Sequence, residues 1–174
     1  MRIGILTVSD KGARGEREDR SGPAIREMMA GAGAEVAQTG IVPDEEDTIK
    51  AVLVRWSDEG LDLILTTGGT GFSPRDRTPE ATKAVIEREA PGLAEAMRRA
   101  GMERTPTAML SRAVAGIRKR TLIVNLPGSE RAVRENLAVI LPALPHGLEI
   151  LAGRAAECGR TAHDLGGEGK RAKP

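Results

Sequence analysis

The chain has 174 residues, with 26 Lys and Arg against 25 Asp and Glu, so its formal charge of +1 gives it none of the polyanion-binding character of a basic nucleic-acid protein. Trp56 and Phe72 are its only aromatic residues, which excludes base stacking on aromatic platforms and makes the core aliphatic. A single cysteine, Cys158, excludes an intramolecular disulfide and suits a reducing, cytoplasmic compartment; no leader and no apolar run of membrane-spanning length is present, so no membrane partner is expected.

In chain order the pattern alternates between strand and helix. Arg2 to Ser9 is a short apolar run, and Ile25, Met28, Met29 and Ala32 then recur at helical spacing after a Ser21-Gly22-Pro23 start. Glu35 to Val42 reads as the next strand. Ile49, Val52, Leu53 and Trp56 mark the buried face of a helix over Glu45 to Asp58, which feeds a strand beginning near Leu61. Thr78 as N-cap and Pro79 at the first helical position predict a helix carrying Val85 and Ile86, kinked or broken at Pro91-Gly92 before Leu93 to Ala100. Ala113 to Ile117 and Thr121 to Asn125, around a basic turn, predict a hairpin added to an otherwise parallel sheet. Ser129 caps a helix with Val133, Leu137, Ile140 and Leu141, and a last helical segment covers Leu144 to Leu151. The expectation is one α/β domain over residues 1–156, followed by a mobile tail over 157–174 where the apolar period disappears.

The most informative stretch is Leu61 to Glu80, LDLILTTGGTGFSPRDRTPE. An apolar strand enters a glycine turn, Gly68-Gly69-Thr70-Gly71, whose backbone N–H groups can form a nest for an anion. The turn matches neither the P-loop nor the dinucleotide fingerprint, and glycines that merely supply positive φ in a tight connection remain an alternative reading. The loop from Ser73 to Pro79 is longer and more polar than a connection needs, and loops at the carboxyl ends of parallel strands are where open α/β sheets bind ligands. Asp76 sets a carboxylate beside this cradle, which makes sense if Mg²⁺ bridges carboxylate and phosphate. Arg75 and Arg77 flank it, either as surface ion-pair partners or as guanidinium groups for triphosphate oxygens. Two isolated histidines, His146 and His163, make no metal site.

The segments VSDKGARGEREDRSGPA, IVPDEED, TTGGTGFSPRDRTPEAT, AMLSRAVAGIR and TLIVNLPGS, five motifs in order across nearly the whole folded part, resemble the MogA family of molybdenum-cofactor biosynthesis. The G domains of gephyrin and of its plant counterpart are homologous. The resemblance implies a three-layer α/β/α sandwich, a homotrimer, and a nucleotidyltransferase that moves AMP from Mg-ATP to the terminal phosphate of molybdopterin, releasing pyrophosphate. It also implies molybdopterin and ATP as substrates, Mg²⁺ as cofactor, and other proteins of the same biosynthesis as partners.

Carried over residue by residue, the resemblance makes Asp44 and Asp76 the two functional aspartates and the Mg²⁺ ligands. It gives Gly68, Gly69, Thr70 and Gly71, with Ser111 and Arg112, to the pterin and its phosphate. Ser9, Asp19, Ser21, Gly22, Arg75, Pro127, Gly128 and Ser129 fall to the nucleotide or substrate loops. From the residues alone, Asp44 serves as well as the N-cap of the next helix, Ser21 as a cap, Asp19 as a solvated charge, and Pro127-Gly128-Ser129 as an ordinary capped helix start. Two alternatives accompany the enzyme: a MoaB-like pterin carrier without adenylyl transfer, and a trimeric scaffold module like that of gephyrin. The pattern PRDRTPEAT resembles the catalytic branch, and Arg77 departs from the small apolar residue common in the family at that position.

Overall fold

In the computed structural model, which describes residues 1–153, a six-stranded sheet carries helices on both faces. The strands are β1 (Arg2–Val8), β2 (Glu35–Val42), β3 (Leu63–Thr67), β4 (Arg88–Glu89), β5 (Ala115–Arg118) and β6 (Thr121–Leu126). The helices are α1 (Asp10–Ala13), α2 (Ser21–Gly31), α3 (Glu46–Asp58), α4 (Thr78–Val85), α5 (Pro91–Met102), α6 (Glu130–Ile140) and α7 (Leu144–Leu151), with 3₁₀ turns at Pro106–Leu110 and Leu141–Ala143. The expected tail over 157–174, with Cys158 and His163, lies outside the described residues.

Strand order is β2-β1-β3-β6-β5-β4; the first four run parallel, and β5 is antiparallel to both β6 and β4. The expected hairpin is thus the β5–β6 pair. Near-continuous apolar runs follow from burial on both faces. Ile3 and Ile5 of β1 pack with Leu63, Leu65, Leu122 and Val124 under α2, α5, α6 and α7, while Leu6, Val8, Ile64 and Ile123 pack under α3 and α4 around Trp56. Gly4 belongs to the second face, where a Cβ would lie 2.6 Å from the Trp56 ring, so the one large aromatic of the core fits only over a glycine.

Three local expectations change. The helical pattern around Pro91 is interrupted outright: α4 stops at Val85, the two-residue edge strand β4 intervenes, and α5 starts afresh with Pro91 in its first turn. The single-turn helix α1 follows β1, its N-terminus capped by Ser9, whose Oγ accepts the Gly12 N–H at 3.1 Å. Thr78 is the first residue of α4 rather than its cap, because its hydroxyl is engaged elsewhere.

Candidate functional site

The chain leaves β1 toward β2 on one side and returns to β3 on the other, so the loops after β1 and β3 part at their carboxyl ends. Such a switch point is where open α/β sheets hold ligands. A cavity of about 870 Å³ occupies it, walled by Ser9, Asp19, Ser21, Asp44, Gly68, Gly69, Asp76, Gly128 and Ser129 from the expected set. Thr7, Val8, Gly12, Thr67 and the charged residues Arg17, Glu18, Arg20, Glu130 and Arg131 complete the wall.

The glycine turn is shaped by close backbone packing. Gly68 and Gly69 have φ of 95° and 62°, and a Cβ on Gly68 would overlap the Val8 carbonyl oxygen. A Cβ on Gly69 would sit 3.0 Å from Asp44 Oδ1, and one on Gly128 would sit 3.2 Å from the Gly68 Cα. The Gly68 N–H is already donated to the Leu126 carbonyl at 3.3 Å, so it is not one of the cradle's anion donors. Across the turn, Thr67 Oγ1 donates to the Pro127 carbonyl at 2.7 Å, which ties the ends of β3 and β6 together.

Asp44 does not cap α3, whose N-cap is Glu45. Its Oδ2 accepts the Asp10 N–H at 2.8 Å, and its own N–H donates to Asp10 Oδ1 at 3.0 Å. Burial pushes the Asp44 carboxyl above the usual aspartate range against the Asp10 N–H bond, and the negative charges of Asp10 and Asp76 push the same way while Arg75 opposes them. Asp76, in the cavity wall, is held within its own loop by the Ser73 N–H, which donates to its Oδ2 at 3.0 Å. The surface ion pair considered for this loop forms at Arg75 instead, which grips Asp10.

Asp19 is no loose surface charge. Its carboxylate accepts the Thr7 hydroxyl at 2.6 Å, the Ser21 N–H at 3.0 Å, the Ser21 hydroxyl at 2.9 Å and the Gly22 N–H at 3.0 Å. Burial alone would raise its pKa, but these bonds together outweigh it and hold the group below the usual range. Asp19 therefore does the capping that the sequence offered to Ser21. Ser129 does cap α6, accepting the Ala132 N–H at 3.2 Å, and so brings a helix N-terminus to the cavity wall.

The structure separates Ser111 and Arg112 from this group. They line a second depression of about 420 Å³ with Lys83 and Arg98. The Arg112 guanidinium clamps the glycine-rich loop, donating to the Gly71 carbonyl at 2.7 Å, to the Asp76 carbonyl at 2.8 Å and to Glu80. Thr70 is buried, its carbonyl accepting the Arg112 N–H at 2.9 Å. The wall of the large cavity is made without Thr70, Gly71, Gly22, Arg75 and Pro127, which support it from the same loops. Among the residues the motif reading missed are Thr7, in the cavity wall, and Asp10, behind it and bonded to Asp44 and Arg75. Thr7 hid within an apolar strand, and Asp10 in a charged segment, each marked only by a contact distant in sequence.

Residues 4–146 match the family described as "Probable molybdopterin binding domain". The chain belongs to this family. It is 43% identical over 156 residues to a molybdopterin adenylyltransferase of Helicobacter pylori, an alignment covering 88% of this chain and 89% of that one. It is 44% identical over 159 residues to gephyrin of Dictyostelium discoideum, covering 86% of this chain but only 22% of that much longer protein. The crystal structure of the molybdopterin biosynthesis enzyme MoaB of Thermus thermophilus superposes with a TM-score of 0.84 at 61% identity, covering 87% of this chain and 96% of that one. The family's α/β architecture is the one described above.

Proposed function

We propose that this protein is a molybdopterin adenylyltransferase, catalysing molybdopterin + ATP → adenylyl-molybdopterin + pyrophosphate. The single observation that carries the reading is the convergence, in one cavity, of the Gly68-Gly69 turn with the carboxylates of Asp44 and Asp76. The relatives named adenylyltransferase supply the substrates.

A terminal phosphate oxygen of molybdopterin attacks the α-phosphorus of ATP, a new P–O bond forms, and the bond to the β-phosphate oxygen breaks to release pyrophosphate. A phosphate monoester is already largely ionised at neutral pH, so the attack requires no general base. The work of the protein is alignment and relief of charge repulsion. Gly69 and the turn it belongs to receive the pterin phosphate, while Ser111 and Arg112 stand apart in the neighbouring depression, where Arg112 braces that turn through the Gly71 and Asp76 carbonyls. Ser9, Asp19, Ser21 and Gly22, with Ser129 at the N-terminus of α6 and its neighbours Pro127 and Gly128, form the nucleotide side. Arg75 braces the loop that carries Asp76.

Mg²⁺ fits this donor set. Among the described residues no three His, Cys, Asp or Glu side chains are grouped to hold a metal alone. Two carboxylates whose charges repel, completed by substrate phosphates, is the pattern Mg²⁺ prefers. When bound at Asp44 and Asp76, the ion would supply charge neutralisation between the two phosphate groups.

Residues 1–156 form the catalytic unit in this reading, working in the cytoplasm as a homotrimer and exchanging pterin with other proteins of molybdenum-cofactor biosynthesis. Among the described residues no helix is long and apolar enough to cross a membrane. The test is an assay of the purified protein with molybdopterin and Mg-ATP. Pyrophosphate release coupled to adenylyl-molybdopterin supports the enzyme; pterin binding with no pyrophosphate would leave a carrier instead.

A further inference from the structure

Asp10 stands where the loops after β1, β2 and β3 meet. The Ser9 cap sets it at the first position of α1, with its backbone N–H directed at Asp44 Oδ2 at 2.8 Å. Its side chain faces both other loops. Oδ1 accepts the Asp44 N–H at 3.0 Å, and Arg75 closes a two-pronged ion pair, Nε to Oδ2 at 2.9 Å and Nη2 to Oδ1 at 2.8 Å. Arg75 precedes Asp76 directly, so one carboxylate braces the segments that present both functional aspartates.

We propose that Asp10 is a positioning residue for adenylyl transfer, holding Asp44 and the Arg75-Asp76 segment in their working geometry through its paired bonds to the Asp44 backbone and the Arg75 guanidinium. The inference rests on the adenylyltransferase reading above. Two magnitudes separate it from a plain stabilising contact. The Arg75 side chain is 57% exposed, and an ion pair so wetted adds little to stability. A displacement of about 1 Å in a group that aligns reactants costs on the order of 100-fold in rate. Asp10 therefore matters more to turnover than to folding.

The experiment compares the full-length wild type with Asp10→Ala, Arg75→Ala and the double variant. It measures kcat and both KM values by pyrophosphate release, molybdopterin affinity by calorimetry, and the unfolding midpoint. The expected result for Asp10→Ala is a fall of about 10- to 100-fold in kcat, with both KM values, the pterin affinity and the midpoint nearly unchanged. The double variant should be no slower than Asp10→Ala, because the two residues act as one unit. Asp10→Asn, which keeps an acceptor for the Asp44 N–H, should fall in between, and it decides the matter if Asp10→Ala fails to fold. An unchanged kcat in the folded Asp10 variants overturns the proposal. So does a change confined to the KM for ATP in Arg75→Ala, which would make Arg75 a nucleotide contact released from Asp10. A wild type that releases no pyrophosphate overturns the adenylyltransferase reading itself, a failure distinct from an active wild type with indifferent variants.

Discussion

Thr78 donates its buried hydroxyl to the Gly68 carbonyl at 2.9 Å while its N–H reaches the Gly69 carbonyl at 3.2 Å. One residue thus locks the start of α4 onto the glycine turn and closes the loop that carries Asp76. Thr78→Val keeps the volume but leaves the Gly68 carbonyl unsatisfied, and should cost about 1–3 kcal/mol in denaturant unfolding. Thr78→Ser, which keeps the hydroxyl, should cost clearly less.

Gly68 and Gly69 should answer differently to substitution. Gly68→Ala forces a Cβ onto the Val8 carbonyl at a positive φ, so the loss should be large and appear first in the unfolding transition. At Gly69, also at positive φ, a side chain first meets not backbone but the Thr78 hydroxyl that locks the turn and Asp44 Oδ1 in the cavity wall. Gly69→Val should abolish tight molybdopterin binding, measured by calorimetry beside the unfolding midpoint. Tight binding in a folded Gly69→Val protein would remove the cradle from the site.

Asp44→Asn and Asp76→Asn should each lower adenylyl transfer by about 100-fold or more, on the order of 3 kcal/mol in the barrier, with molybdopterin affinity largely retained. Pyrophosphate release at saturating Mg-ATP checks this. The proposed roles fail if both variants turn over normally.

Asp19 sets a pH dependence of stability. Its folded pKa lies below the ordinary value of 3.8, so its stabilising contribution is fully present above that value and is lost as pH falls through the folded pKa. Asp19→Asn cannot accept all four bonds and should cost about 1–2 kcal/mol at neutral pH, a figure discounted for partial exposure. The difference between wild type and variant should shrink below pH 3.8 in urea titrations.

Sedimentation at micromolar concentration should give the mass of three chains. Phe72 is 68% exposed and Met109 58% exposed, apolar area that subunit contacts could cover. A fully active monomer would withdraw the trimer.

The alternation of apolar runs with helical spacing was enough to place β1, β2, α2, α3 and the β5–β6 hairpin, because strands buried on both faces and helices buried on one leave a pattern that needs no knowledge of neighbours. Ser129 was likewise legible, since a cap bonds within its own turn. The glycine turn stood out from its local setting, whereas Asp44 and Asp76 were singled out as a functional pair only by the resemblance to the family. Partner choice was not legible. Thr78, Ser21 and Asp44 all looked like caps, yet Thr78 bonds back to Gly68, Asp19 caps for Ser21, and Asp44 pairs with Asp10 thirty-four residues away. Arg112 looked like a phosphate ligand and is committed to the carbonyls of Gly71 and Asp76. A hydroxyl, carboxylate or guanidinium bonds whichever group the fold brings within about 3 Å, so local sequence determined which residues could act, and only the tertiary structure decided which partners they took.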